Sequence, residues 1–195
     1  MNHKDFFNSL AEKWDTISHH STEKLNEIIN LANIKEGGKI LDVGTGTGVL
    51  IPFLISRIGK TGNITAVDVA EKMLEIAGTK YSYSNLEFIC GDITELELPK
   101  NHFDTIMCYS VFPHFEDKPT AILKMSESLK NKGAIVICHS QSRNEINNLH
   151  KKASEAVSED SLPDVETLKH YLSNAGLNTI MVVDDEKMFV VIGQK

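Results

Sequence analysis

The 195-residue chain has only three cysteines, Cys90, Cys108 and Cys138, far apart and with no Cys-x-x-Cys pair. That excludes a disulfide scaffold and a thiolate zinc knuckle, and predicts reduced, buried thiols in a cytoplasmic protein. No apolar run approaches the ~20 residues of a membrane span. The opening "MNHKDFFNSLAEKW" is charged and amphipathic, without the apolar centre of a signal peptide. Basic residues are not in excess: the formal net charge is −7, which argues against a nucleic-acid phosphate backbone as partner. The Gly-Lys-Thr at residues 59–61 has Leu54 where a phosphate-cradling loop requires its first glycine, so that motif is incomplete, and Pro-rich or low-complexity tracts are missing. What is present is ordinary for a globular chain, 41% apolar residues, enough for one sizeable core.

The first 33 residues pattern as helices. Phe6, Phe7, Leu10 and Trp14 recur at helical spacing, and Leu25, Ile28, Ile29 and Leu31 form a second apolar side behind Ser21 or Thr22 as N-cap. The pattern then changes to short apolar runs, 39–43, 63–69, 86–90, 103–109 and 133–139, mostly rich in Ile and Val. Such runs suit parallel strands buried on both faces. Helical stretches at 48–58, 71–80 and 117–130 separate them. Two more helices follow, the last closed by Gly176, and then two strands around "DDEK". This rhythm predicts an α/β fold: a Rossmann-like, doubly wound, mainly parallel seven-stranded sheet with a C-terminal antiparallel hairpin and an N-terminal helical cap. We divide a single domain, 1–195, into a cap or lid (1–35), a cofactor-binding core (36–140) and a C-terminal part (141–195).

The stretch "KILDVGTGTGVL" (39–50) places three alternating glycines after a strand that already carries Asp42. A dinucleotide fingerprint begun at Gly44 requires glycine at 49, where the chain has Val49, so a nicotinamide cofactor fits poorly. An isolated glycine triplet is more often a tight turn, and an Asp at a strand end is often a helix cap. Four such signals in order, each at the carboxyl end of a strand, are much harder to reach by chance, and ligands of these sheets bind at that edge. The pattern Asp-x-Gly-x-Gly-x-Gly resembles the class I S-adenosylmethionine-dependent methyltransferases, and the resemblance covers nearly the whole chain.

The resemblance implies a role for each motif. In "LDVGTGTG", Gly44, Thr45, Gly46 and Gly48 would lie along the methionyl part of S-adenosylmethionine, with Asp42 holding its amino group. In "AVDVAEKML", Asp68 would accept both ribose hydroxyls while Val69 and Met73 flank the adenine. In "CGDITEL", Asp92 would take the adenine amino group and the Ile93 amide a ring nitrogen. "FDTIMCYSVFPHF" resembles the motif where cofactor meets acceptor and puts Cys108 beside the cofactor; S-adenosylhomocysteine is the implied product. Chemistry agrees: a carboxylate is a natural two-point acceptor for a diol, and glycines let a backbone approach closely at a helix N-terminus.

The acceptor is expected to be a small molecule, its reacting atom (O, N, C or S) and the oligomeric state being left open. The Asn/Asp-Pro-Pro-Tyr motif of amino-group enzymes is missing, and so are a metal-binding Asp after the fourth strand and a Pro-Cys nucleophile. "FNSLAEKWD", Phe7 to Asp15, is similar to the N-terminal helix of the quinone-methyltransferase-like subgroup. Phe6, Phe7 and Trp14 either close over the sulfonium as an aromatic lid or simply dock the helix. His114 and His139 follow adjacent strands and are the candidate catalytic groups, as base or acceptor-orienting pair. The predicted site includes no metal; the alternative is a metal-assisted enzyme using His114, His139 and His150, with Cys108 as a further ligand. The remaining histidines, His3, His19, His20, His102 and His170, read as solvated surface. Thiol or metalloid transfer, and a non-catalytic cofactor-binding module, are the competing functions.

Overall fold

The computed structural model describes residues 2–195. Three short helices open the chain: α1 (His3–Leu10), α2 (Trp14–Ile17) and α3 (Thr22–Leu31). Asn2 and Ser21 cap α1 and α3, each accepting a backbone amide three residues on. The alternating part runs β1 (Lys39–Val43), α4 (Ile51–Ile58), β2 (Asn63–Asp68), α5 (Glu71–Lys80), β3 (Leu86–Cys90), β4 (Phe103–Tyr109), α6 (Lys118–Ser128) and β5 (Leu129–His139). Then come α7 (Arg143–Lys152), α8 (Val165–Asn174), and the hairpin β6 (Asn178–Asp184) and β7 (Phe189–Gln194).

The seven strands form one sheet in the order β3-β2-β1-β4-β5-β7-β6. Neighbours from β3 to β5 are parallel, whereas β7 runs antiparallel to both β5 and β6. The strand order reverses between β1 and β4, which opens a crevice at the carboxyl ends of those strands. Period-two alternation splits the core. Leu41, Val43, Ile106 and Ile137 pack with α6 and α8, while Ile40, Met107, Val136 and Cys138 pack with α3 and α4.

Beyond shifts of one or two residues at the ends of β2 and α6, two boundaries differ from the pattern. Helix α4 starts at Ile51 instead of 48, because Gly48 has φ +88° and Pro52 belongs in the first helical turn. Strand β5 begins at Leu129 instead of 133, pairing with Phe103 before a register shift ahead of Ala134. The polar run Lys130–Lys132 hides that part of the strand from a hydrophobicity reading.

Candidate active site

A cavity of about 680 Å³ lies at the carboxyl edge of the sheet, floored by the β1–α4 loop and the ends of β2 to β5. The loop is shaped by Gly44 and Gly46, at φ +69° and +55°, a region that side-chain-bearing residues avoid. A Cβ on Gly44 would stand 2.2 Å from Val111 Cγ2, so that glycine lets the segment after β4 close against the loop. A Cβ on Gly46 would meet nothing nearer than the Trp14 indole nitrogen, at 3.9 Å. This glycine therefore offers its backbone to the cavity, with Trp14 on the other side.

Asp68 ends β2 and ties the floor together. Its Oδ2 accepts the Gly46 amide at 2.8 Å and its Oδ1 the Ala70 amide at 2.9 Å. Burial pushes its carboxyl above the usual carboxylate range, against the opposing pull of those backbone amides. Val69, Met73, Asp92, Ile93 and Thr45 also line the cavity. Asp92 bends its own loop: Oδ1 accepts both the amide and the hydroxyl of Thr94 at 2.7 Å. Three residues from the expected cofactor set do not line it. Asp42 shares the strand face of Ile40 and accepts the Thr45 hydroxyl at 2.7 Å, and burial raises its carboxyl to about 7. Gly48 lies under Ile51 and Tyr81, where a Cβ would come within 2.8 Å of both. Cys108 is fully buried, with its thiol 3.5 Å from Met125 Sδ, because its strand position points to the α6 side.

The N-terminal helices form the opposite wall. Asp15 fastens them, accepting the Thr47 hydroxyl at 2.5 Å and the Lys80 ammonium at 2.7 Å. Phe7 meets Trp14 and His114 edge-on, with ring centroids 5.6 and 5.0 Å away. His114, in the 3-10 turn Phe112–His114 after β4, has its Nδ1 2.6 Å from Asp160 Oδ2. His139, at the end of β5, is 1% exposed, and neither of its ring nitrogens has a partner among the described residues. Burial depresses it to about 3, so its ring is neutral throughout ordinary pH. His150, on α7, packs its ring 4.9 Å from that of His114. All three line the one cavity.

This set of acids and glycines on the carboxyl edge of a 3-2-1-4-5-7-6 sheet matches one family along most of its length. The model described as "Methyltransferase domain" covers residues 34–180. The chain belongs to the methyltransferase-domain family. A malonyl-[acyl-carrier protein] O-methyltransferase of Acetivibrio thermocellus is 32% identical over 131 residues, which is 66% of this chain and 46% of that protein. A ubiquinone/menaquinone biosynthesis C-methyltransferase of Psychromonas ingrahamii is 28% identical over 140 residues, covering 67% and 56%. The chain thus spans about half the length of these curated relatives. In fold, a SAM-dependent methyltransferase of Aquifex aeolicus matches with a TM-score of 0.76 at 22% identity, over 94% of this chain and 97% of that one.

Several residues of this chain escaped the sequence reading. His3 and His20 are not solvated surface. His3 Nε2 lies 2.9 Å from Asp160 Oδ2, and His20 bonds the Ser18 hydroxyl and the Tyr109 phenol, each at 2.8 Å. Asp160 itself carries no local signal. It sits in a polar connection after α7, and burial, which would raise its carboxyl, is outweighed by the hydrogen bonds and charges of His114 and His3, which hold it low. Asp15 was readable only as part of the N-terminal resemblance; its bond to Thr47 spans 32 positions.

Proposed function

We propose that this chain transfers the methyl group of S-adenosylmethionine to a small-molecule acceptor. The observation that carries the reading is the convergence of the Gly46 backbone and the Asp68 carboxylate on a cavity that also holds His114 and His139. The residues present suit this cofactor. Gly46 leaves room for a ligand against the backbone, and Asp68 offers a desolvated two-point acceptor for a ribose diol. Val69 and Met73 would flank the adenine, with Asp92 and the Ile93 amide reading its edge. Gly44 and Thr45 line the cavity beside Gly46, while Gly48 and Asp42 act behind this surface, Asp42 through Thr45, by holding the loop in shape. We assign Cys108 no direct contact, since its thiol is turned into the core.

S-adenosylmethionine supplies a methyl group already activated on a sulfonium, so the protein's task is alignment and exclusion of water. Phe7 and Trp14 close that side, and an aromatic face tolerates a neighbouring cation. His139 would orient the acceptor through its unpartnered ring nitrogens, and His114, presented by Asp160, would activate an acceptor that arrives protonated. The three free thiols support a reducing, cytoplasmic setting for the reaction.

The test is incubation with methyl-labelled cofactor and a panel of hydroxyl, thiol, amine and activated-carbon acceptors. A malonyl thioester and a reduced quinone belong in the panel, as the acceptor types suggested by the two relatives. Labelled product in any lane is the expected result. Cofactor binding with no transfer to any acceptor reduces the chain to a binding module, and no binding at all overturns the reading.

A further inference from the structure

We propose that His3, His114 and Asp160 form a binding site for a first-row divalent cation of the zinc and iron(II) class, set in the wall of the acceptor cavity. The three residues come from α1, from the turn after β4 and from the connection after α7, and their ligand atoms all lie within 4.8 Å of one another. Asp160 Oδ2 stands between the rings, 2.9 Å from His3 Nε2 and 2.6 Å from His114 Nδ1. Ions of this class take imidazole and carboxylate at about 2.0–2.2 Å, so neighbouring ligand atoms sit roughly 3.3 Å apart in a tetrahedral site. Spreading the present contacts by about 0.4 Å at His3 and about 0.7 Å at His114 admits the ion. Two imidazoles and one carboxylate also make a donor set that leaves positions open for an exogenous ligand.

A second observation points to a ligand in the same place. His139 is 1% exposed and His150 is 6% exposed, yet both nitrogens of the first and Nδ1 of the second lack partners among the described residues. Buried polar atoms are almost always paired, so three unpartnered imidazole nitrogens in one cavity mark a place where something polar belongs. Their chain neighbourhood is otherwise well made: α7 begins with a full capping box at Ser142 and Glu145. The cation and a group coordinated to it would supply the missing partners. A further consequence is structural, since the ion would pin the N-terminal helix to the C-terminal part of the chain across the cavity mouth.

The inference deepens the proposed methyl transfer and rests on it only for what the ion does. There it would hold the oxygen or sulfur of a hydroxyl or thiol acceptor as its anion, the acceptor's proton passing to solvent, so that His114 activates the acceptor as a metal ligand.

The experiment titrates zinc into the 195-residue chain after stripping with a chelator, followed by calorimetry and by elemental analysis after dialysis. One zinc per chain is expected, with affinity falling at least about tenfold in each of His3→Ala, His114→Ala and Asp160→Asn, while His170→Ala is unchanged. Cobalt(II) added to the unaltered protein should give the visible absorption of a low-coordinate site, which guards against variants that fail to fold. Absence of stoichiometric zinc, or zinc retained equally by the Asp160→Asn and His114→Ala variants, overturns the site. Loss in a His139→Ala variant with retention in Asp160→Asn overturns this ligand set too. Cofactor titration on the same samples separates the two readings: zinc without cofactor binding sinks only the methyl-transfer proposal, and the reverse sinks only the metal.

Discussion

Replacing Asp68 with alanine isolates the contact on which cofactor recognition turns. Burial already holds this carboxylate away from solvent, so a diol bonding to it displaces little water. Two charge-assisted hydrogen bonds at ~1.5–3 kcal/mol each total about 3–6 kcal/mol. At about 1.4 kcal/mol per decade this is a loss of roughly 10²- to 10⁴-fold in affinity. Residual binding through the adenine pocket and the Gly46 backbone sets a floor, and at least a roughly tenfold loss is expected. The substitution also releases the Gly46 and Ala70 amides, which Asp68 now accepts at 2.8 and 2.9 Å. Asp68→Asn is the companion variant, keeping the volume and one acceptor oxygen, and its loss should be intermediate. Calorimetric titration with S-adenosylhomocysteine reads the affinity, and circular dichroism checks that each variant is folded. The upward shift of the Asp68 carboxyl adds a second handle: as pH falls, binding by the unaltered protein should weaken earlier than an ordinary carboxylate would dictate. Folded Asp68→Ala protein with affinity within about twofold of the original would refute the assignment.

Gly46→Val should abolish cofactor binding in calorimetry while the far-ultraviolet spectrum stays that of a folded protein, because the branched side chain enters the cavity at φ +55°. Asp42, raised to about 7 in the fold, favours its protonated form there, so its contribution to stability is full below the unfolded value near 4 and is lost as pH rises through 7. Asp42→Asn should accordingly gain melting temperature relative to the unaltered protein at pH 8, with the gain vanishing toward pH 4; a pH-independent difference would refute the linkage. His139→Ala should lower turnover on the order of 10²-fold through a misplaced acceptor, with cofactor affinity nearly unchanged, as measured by initial rates alongside calorimetry. Equal losses in rate and cofactor affinity would instead make His139 part of the cofactor wall.

Residues close in sequence were read well because their signals are local. Strand β1 coincides with "KILDV", a short apolar run buried on both faces of the sheet, and α5 coincides with 71–80. "LEFIC" coincides with β3, but β3 is an edge strand with no buried residue, and its Cys90, expected to be buried like Cys108 and Cys138, is exposed. The alternating glycines announce a loop of positive φ directly after β1, since the spacing itself requires it. Chain order did the same for the acids at strand ends: Asp68 and Asp92 reach the same cavity because parallel strands place their carboxyl ends along one edge.

Side-chain direction and long-range pairing belong to the tertiary structure. Whether Cys108 faces the cavity or the core depends on which side of β4 receives α6, and α6 covers its side. Asp42 lies at the right place in the sequence for a cofactor contact, yet its strand face turns it toward Thr45. His3 and Asp160 are 157 positions apart, and although His3 opens an amphipathic helix, no local pattern links the two. Only folding α1 and the connection after α7 across the cavity mouth brings them to His114, because a carboxylate and two imidazoles recognise one another by distance in space. Sequence by itself therefore determined the sheet, the glycine loop and the edge where a ligand binds, through periodicity and backbone sterics that act over a few residues. The histidine–aspartate cluster was decided only by tertiary packing, whose contacts leave no local trace in the chain.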